Sequence, residues 1–281
     1  MVVLRNKREL EQWRLSVDNI KTIGFVPTMG ALHKGHISLV KKSISENDFT
    51  VVSIFVNPTQ FNNPSDFEKY PNTIASDLEQ LSEVNCGVVY IPSIEDLYPN
   101  FDTSIKEYTF SGIEKPMEGE FRPGHFDGVA TVVKKLFDAV LPSKAYFGEK
   151  DYQQLLIVKE LVGIEKMPIK IIGMPIYREK DGLAMSSRNM RLNDSQRKEA
   201  PLIFNSLLQV KKWVKEKESI NEITDRITEI FSQSNLKLEY FEVRENNSLK
   251  FAQQFEKNKK YRAFISVFAG EIRLIDNLEL F

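Results

Sequence analysis

Short apolar runs and amphipathic stretches alternate along residues 1–174. The apolar runs are rich in β-branched side chains and poor in charge, which is typical of strands covered on both faces of a parallel sheet. The stretches between them repeat apolar residues about every three or four positions, which predicts helices. The predicted strands are residues 23–26, 50–56, 87–91, 144–148 and 169–172, and the predicted helices are residues 8–17, 35–45, 72–83, 126–140 and 155–162. Strands that alternate with helices at these spacings predict an α/β fold with a doubly wound, parallel, Rossmann-like sheet.

The pattern changes beyond residue 174. A predicted helix starts at about Asp194, and helical stretches are followed by strand-like runs. The helical stretches are residues 200–217 and 220–234, and the strand-like runs are residues 236–243, 262–267 and 272–275. This order predicts a second, smaller α+β domain at residues 175–281, joined to the first domain, residues 1–174, by a hinge near residues 173–175. Residues 92–124 are irregular, with short strand-like pieces at 103–110.

Composition narrows the possible classes of protein. The 281 residues are 42% hydrophobic and 27% charged, which is ordinary for a soluble globular chain with a sizeable core. A formal net charge of −1 disfavours a nucleic-acid partner. The charged N-terminus disfavours a signal peptide, and no apolar run is long enough to span a membrane. The single cysteine, Cys86, excludes an internal disulfide and fits a reducing compartment, so we expect a cytoplasmic protein.

The turn between the first predicted strand and the following helix holds the most distinctive residues. His33 and His36 lie three positions apart at the helix start, so both can face one point near its N-terminus. The whole chain has only three histidines, which makes chance placement of two in one turn a weak explanation. A helix N-terminus favours phosphate, and Gly30 and Gly35 allow a ligand to approach the backbone closely.

Other polar segments follow predicted strands and therefore belong to the same edge of the sheet. Residues 57–61 and residues 148–151 come directly after two of these strands, and residues 186–188 lie on a loop towards the second domain. Gln60 is either a solvated loop residue or a ligand contact. Imidazole, hydroxyl and cationic donors around a helix N-terminus suit a nucleotide triphosphate. The Walker pattern and the protein-kinase motifs are absent, which disfavours those classes of enzyme.

These same residues carry a family resemblance. His33-Lys-Gly-His36 is similar to the His-x-Gly-His signature of the adenylyl-transferring α/β superfamily, and the longer string 27–36 resembles the pantothenate synthetase (pantoate–β-alanine ligase) family. Further segments resemble that family's motifs in the family's order, namely residues 57–61, 122–129, 146–154, 181–189 and 274–277. The resemblance implies ATP- and Mg²⁺-dependent condensation of (R)-pantoate with β-alanine through pantoyl adenylate, with release of AMP and pyrophosphate.

The resemblance also implies roles for individual residues. The implied ATP-binding residues are Met29, Gly30, Ala31, Leu32, His33, Lys34, Gly35, His36, Gly148, Glu149, Lys150, Asp151, Tyr177, Met185, Ser186, Ser187 and Arg188. The implied pantoate-binding residues are Gln60 and Gln154, with Gln60 also near β-alanine. The implied catalytic residues are His36, as the family's proton donor, with His33, Lys150, Ser186, Ser187 and Arg188. On physical grounds, the histidines, Lys150 and Arg188 are donors to charge that develops on the phosphates.

Several questions stay open at the level of sequence. Asp77 is either close to the metal ion or an ordinary residue of a helix surface, and His125 is either a site residue or a structural histidine. The resemblance implies a homodimer, for which residues 50–56 and their flanks are the expected surface unless this apolar run is plain core. A nucleotidylyltransferase and a nucleotide-binding regulatory module are the alternative functions. The neutral amides of Gln60 and Gln154 favour the ligase, and the retained donors disfavour a module without turnover.

Overall fold

The computed structural model describes residues 1–60 and 70–281, which divide into two compact units. Unit 1 comprises Met1–Glu149 and Gln153–Pro175, and unit 2 comprises Lys150–Tyr152 and Ile176–Phe281. Phe61, the last residue of the 57–61 motif, lies outside the described residues.

Unit 1 is built on a six-stranded sheet in which every neighbouring pair of strands is parallel. Its strands are β1 (Val2–Leu4), β2 (Ile23–Thr28), β3 (Phe49–Ile54), β4 (Val88–Tyr90), β5 (Lys144–Gly148) and β6 (Lys170–Met174). The helices of this part of the chain are α1 (Lys7–Ser16), α2 (Lys34–Glu46), α3 (Ile74–Glu83), α4 (Ile94–Leu97), α5 (Glu118–Phe121), α6 (His125–Val140) and α7 (Tyr152–Ile164). The predicted doubly wound parallel sheet is confirmed.

The strand order places three loops at one edge of this sheet. The order is β1-β4-β3-β2-β5-β6, so the chain proceeds from β2 through β3 to β4 on one side and to β5 and β6 on the other. Connections therefore diverge between β2 and β5, where the carboxyl ends of parallel strands form a crevice that ligands use. The segments that follow β2, β3 and β5 at this edge are 29–33, 55–60 and 149.

Two details of unit 1 differ from the sequence-based expectation. The first strand is β1, which pairs with β4 from Val2↔Val88 to Leu4↔Tyr90 and was not predicted, because three residues are too few to show a period. Residues 103–110 form no strand. Their backbone instead bonds to side chains of α6, with Lys106 N donating to Thr131 Oγ1 (3.2 Å) and Tyr108 N donating to Asp127 Oδ1 (3.0 Å).

The core of unit 1 surrounds its central strands. Strand β3 has β2 on one side and β4 on the other, and Val51 and Val52 are completely buried. Val26, Val40 and Val89 pack in one cluster with Val52. A strand that is paired on both edges and covered on its faces cannot be an exposed contact surface. The expectation that residues 50–56 offer a dimer surface is therefore wrong for the strand itself, which is core.

Unit 2 combines helices with an antiparallel sheet. Its elements are α8 (Asp194–Glu199), α9 (Leu202–Lys215), α10 (Ile220–Ser232), β7 (Leu236–Glu245), β8 (Tyr261–Ala269) and β9 (Ile272–Glu279). The strands lie in the order β7-β8-β9, and buried residues such as Leu207, Ile227 and Ile265 form one cluster. The helix predicted from Asp194 ends at Glu199, just before Pro201, because proline lacks the N–H that a helix interior needs. In the described parts of the chain, no helix has the length and apolar character needed to cross a bilayer.

Candidate active site

The turn between β2 and α2 has an unusual backbone. Thr28, the last residue of β2, accepts a hydrogen bond at Oγ1 from Gly30 N (3.2 Å). Gly30 has a φ of +79° and Ala31 a φ of +49°, so two successive residues are left-handed. A Cβ atom at Gly30 would lie 3.0 Å from both Asp77 Oδ2 and Ile54 Cγ2, so the turn requires glycine there. Alanine carries a steric penalty in this region, so the fold must hold Ala31 in place.

Asp77 supplies that restraint from helix α3. Its carboxylate accepts hydrogen bonds from Ala31 N at Oδ2 (3.0 Å) and from Leu32 N at Oδ1 (2.8 Å), and Thr73 Oγ1 donates to it as well. Asp77 is only 1% exposed, so the interpretation as an ordinary helix-surface aspartate is wrong. Both carboxylate oxygens are committed to the turn, which orients the backbone that leads into His33.

The two histidines cap the helix that follows. His33 is the N-cap of α2, and its Nδ1 accepts a hydrogen bond from Gly35 N (3.1 Å). His36 Nδ1 accepts one from His33 N (3.4 Å), which completes a reciprocal capping box. The rings stack with centroids 4.0 Å apart. Because an accepting ring nitrogen carries no hydrogen, the proton of each neutral ring is on Nε2, which makes Nε2–H a donor on both histidines.

This arrangement suits an anion. The N-terminus of α2 carries a partial positive charge, and Lys34 is exposed at its first turn. The Nε2–H tautomer gives each of the two histidines at this N-terminus a donor that needs no positive charge of its own. The turn can therefore donate hydrogen bonds to several oxygens of a phosphate chain.

The turn after β3 carries Gln60 next to the histidine turn. Gln60 Nε2 contacts Met29 Sδ at 2.8 Å, and Gln60 Oε1 accepts from Asn57 Nδ2 (3.3 Å). Asn57 is itself buried, and its Oδ1 accepts from Tyr98 Oη (2.8 Å). The structure thus brings Met29 and Gln60 together. It also fixes the direction of the Gln60 amide through Asn57 and Tyr98.

His125 lies behind this turn. It is 6% exposed, and its Nδ1 is 3.0 Å from the backbone oxygen of Gln60, which Arg122 also approaches through Nη2 (3.3 Å). The sequence left His125 as either a site residue or a structural histidine. The observed contact is a structural one, and it is made to the backbone of Gln60, a predicted site residue.

Two adjacent glutamines at the start of α7 have different surroundings. Gln153 is buried, accepts from Glu118 N and donates to the backbone oxygens of Ile113 and Pro116, so it holds the 113–118 segment in place. Gln154 is partly exposed in the same helical turn. The pantoate contact predicted for Gln154 is therefore compatible with its partly exposed position.

Lys150 belongs to unit 2, where β9 contacts its backbone. Asn277 Nδ2 donates to Lys150 O (2.9 Å), and Lys150 Nζ lies 3.8 Å from Asp151 Oδ1. Next to Asn277, Asp276 is buried and accepts two hydrogen bonds from Arg178, at 2.6 and 3.0 Å. Burial raises the pKa of the Asp276 carboxyl above its usual value, although the Arg178 guanidinium acts in the opposite direction.

The remaining predicted residues of unit 2 form a hairpin and a short 3₁₀ turn. Met185 N donates to Tyr177 O (2.9 Å), so the Tyr177 backbone closes the hairpin while its side chain is 42% exposed. Ser186 caps the 3₁₀ turn Ser187–Arg191, and its Oγ accepts from Arg188 N (3.2 Å). Ser186 and Arg188 are partly exposed, so this turn presents a hydroxyl and a guanidinium two positions apart.

The family model described as pantoate-beta-alanine ligase matches residues 2–279 of the chain. The chain belongs to the pantoate-beta-alanine ligase family.

Individual members of the family are similar over nearly the full length. The pantothenate synthetase of Flavobacterium psychrophilum is 54% identical over 262 residues, which is 92% of each chain, and that of Christiangramia forsetii is 47% identical over 283 residues, which is 100% of this chain and 99% of the relative. The crystal structure of pantothenate synthetase from Thermus thermophilus has a TM-score of 0.92 at 36% identity and full coverage of both chains. That of the ligase from Francisella tularensis, complexed with beta-gamma ATP and beta-alanine, has a TM-score of 0.84 at 39% identity, covering 100% of this chain and 98% of that chain.

The structure adds residues to the candidate site that the sequence did not single out. Asn57 and Tyr98 orient Gln60, and Asn277 contacts Lys150. Asn57 and Asn277 each lie inside one of the segments that resemble the family's motifs, and this was the signal in the sequence that could have identified them as site residues. Tyr98 has no such signal, because its contact with Asn57 spans 41 positions.

The described residues, 1–60 and 70–281, contain no group of three or more His, Cys, Asp or Glu side chains arranged to hold a metal ion.

Proposed function

We propose that this protein condenses (R)-pantoate with β-alanine in an ATP-dependent reaction through pantoyl adenylate. The observation that carries the proposal is the histidine capping box at the N-terminus of α2, because it sets the Nε2–H tautomer of two histidines at the positive end of a helix at the divergence of the sheet. A site of this kind is suited to a triphosphate, and the family membership specifies the two other substrates.

In the first step, a pantoate carboxylate oxygen attacks the α-phosphorus of ATP. The new O–P bond forms as the bond to the β,γ-phosphates breaks, so pyrophosphate leaves with the bonding electrons. Negative charge grows on the α-phosphoryl and pyrophosphate oxygens, and preorganised donors stabilise it. We assign this role to His33, His36, Lys150 and Arg188. In the second step, the β-alanine amine attacks the acyl carbon, loses a proton, and AMP leaves.

Substrate binding is divided among the residues already described. We assign pantoate to Gln60 and Gln154, with Gln60 also near β-alanine. A neutral amide can both donate to a hydroxy acid's carboxylate and accept from its hydroxyl. The residues assigned to ATP are Met29–His36 on unit 1, Gly148 and Glu149 at the end of β5, and Lys150, Asp151, Tyr177 and Met185–Arg188 on unit 2.

Mg²⁺ accompanies ATP in this proposal. The ion would supply charge neutralisation of the triphosphate and would be held chiefly by the phosphate oxygens. Asp77 is not assigned to the metal, because both of its carboxylate oxygens accept backbone hydrogen bonds.

Three further expectations accompany the function. We propose a homodimer, tested by its mass in light scattering at micromolar concentration. The single cysteine, Cys86, supports a cytoplasmic location. A lid role for residues 175–281 stays a prediction, and ATP-dependent protection of residues 173–175 from proteolysis would test it.

Isotope exchange tests the two-step reaction. Labelled pyrophosphate should exchange into ATP when pantoate is present and β-alanine is absent, because adenylate formation is reversible before the amine arrives. Addition of β-alanine should then yield AMP and pantothenate in equal amounts. Exchange that ignores pantoate, or a nucleotidylated product that retains AMP, would refute the proposal and favour a nucleotidylyltransferase.

A further inference from the structure

The backbone carbonyl of Gln60 receives two side-chain donors from the segment before and at the start of α6. His125 Nδ1 is 3.0 Å from this oxygen and Arg122 Nη2 is 3.3 Å from it. A carbonyl oxygen can only accept, so Nδ1 of His125 must carry a hydrogen. This is the opposite of His33 and His36, whose Nδ1 atoms accept backbone hydrogen bonds.

Helix α6 also contacts the neighbouring backbone of this turn. A Cβ atom at Gly128 would lie 2.5 Å from Thr59 O and 3.2 Å from Gln60 Cα, so only glycine permits the observed approach. Asn57 Nδ2 links α6 to the Gln60 side chain, because it donates to both Gly128 O (3.3 Å) and Gln60 Oε1 (3.3 Å). The first turn of α6 therefore holds both the position of the 58–60 backbone and, through Asn57, the direction of the Gln60 amide.

The hydrogen bond from His125 to the Gln60 carbonyl lies in a buried environment, which strengthens it. The His125 ring is buried, with only 6% of the residue exposed, and a hydrogen bond in such surroundings is stronger than one in water. If the donor were lost, the Gln60 carbonyl would lose the shorter of these two contacts and keep the longer one to Arg122. The turn would then be free to shift, and a shift of about 1 Å is enough to misplace a substrate.

We propose that His125 is a positioning residue for pantoate recognition: its Nδ1–H holds the Gln60 backbone, and thereby the Gln60 amide, in the orientation that binds the hydroxy acid. This inference rests on the proposed function, in which Gln60 contacts pantoate. It assigns no contact between His125 and a substrate.

A matched pair of substitutions tests the position of the donor. In His125→Asn, the amide Nδ2–H occupies about the same place as the imidazole Nδ1–H, whereas in His125→Gln the amide reaches towards the place of Nε2. We expect His125→Gln and His125→Ala to raise the pantoate concentration for half-maximal pyrophosphate exchange by about tenfold or more. His125→Asn should recover to within about threefold of the parent.

Binding of α,β-methylene-ATP, measured by calorimetry, should change less than about threefold in all three variants. A merely structural role would instead lower both affinities in parallel. Asp138→Asn, an exposed change on the same helix, is the control for substitutions in α6.

A second measurement determines the tautomer of His125 in the parent protein, and a variant serves only to assign the signals. Because the chain has only three histidines, ¹⁵N–¹H spectra of the imidazole rings can be assigned with His125→Asn, which removes one set of signals. We expect the Nδ1–H tautomer or the imidazolium for His125. A neutral Nε2–H ring at His125 would overturn the inference, as would a His125→Asn variant as impaired in pantoate use as His125→Ala. If the parent protein itself shows no pantoate-dependent exchange, the proposed function fails and the inference fails with it.

Discussion

The sharpest prediction concerns Asp77 and the two amides that it holds. Asp77→Asn replaces one carboxylate oxygen with an NH₂ group, which cannot accept from a backbone N–H, so either Ala31 N or Leu32 N loses its partner. Asp77→Ala removes both acceptors. A hydrogen bond to a charged group is worth about 1.5–3 kcal/mol, so we expect about that loss of local stability for Asn and roughly twice as much for Ala.

The magnitude follows from the geometry of the turn. The two bonds are 3.0 and 2.8 Å long and Asp77 is 1% exposed, so water cannot readily replace the lost acceptor. Ala31 adds to the effect, because a φ of +49° costs an alanine roughly 1–2 kcal/mol and is kept only while the amides are held. Without the carboxylate, the turn should relax towards ordinary backbone angles and shift the histidines at the start of α2.

Native-state hydrogen exchange measures this directly. Protection of the Ala31 and Leu32 amides should fall by about 10- to 100-fold, at one of the two amides in Asp77→Asn and at both in Asp77→Ala. Pantoyl-adenylate formation in a single turnover should slow by roughly 10- to 100-fold in Asp77→Ala. Glu79→Gln, an exposed change on the same helix, is the control and should do neither. If both amides stay protected in Asp77→Ala, the carboxylate does not hold the turn.

Three other predictions concern the phosphate donors, Gln60 and the buried Arg178–Asp276 pair. His36→Ala and Lys150→Ala should each slow adenylate formation in rapid-quench experiments by about 10²–10³ while ATP affinity changes much less, and parent rates would show that the donors are misassigned. Gln60→Ala should weaken pantoate binding by about 1–3 kcal/mol in calorimetry, and an equal loss for ATP would point instead to collapse of the site. Arg178→Met leaves Asp276 buried without its cation and should cost about 3–5 kcal/mol of unfolding free energy at pH 7. Because burial raises the pKa of Asp276, the folded state keeps this proton to a higher pH than the unfolded state, so the loss should shrink as the pH falls towards 4 in thermal melts, and a pH-independent loss would contradict it.

Much of the fold is already determined locally in the sequence. Continuous apolar runs and period-3.6 patterns depend on which residues neighbour each other along the chain, so the buried strands and most helices can be predicted from them. The strand at residues 144–148 was predicted with the bounds that β5 has, and the helix predicted at residues 126–140 is α6, which begins one residue earlier. The polar segments at strand ends could be predicted for the same reason, because parallel strands place their carboxyl ends at one edge.

Contacts between distant residues were decided only by the tertiary structure. Asp77 lies 45 positions from Leu32, and His125 lies 65 positions from Gln60, so neither the burial of these side chains nor their backbone partners leave a periodic signal in the sequence. Residues 103–110 resemble a strand in composition, yet their backbone groups bond to the side chains of α6. The sequence by itself determined which chemical groups are available at the sheet edge. Only the tertiary structure decided how these groups are held. The packing of α3 fixes the loop that precedes His33, and the packing of α6 fixes the Gln60 turn. Both contacts need buried acceptors and donors that come together from separate parts of the chain.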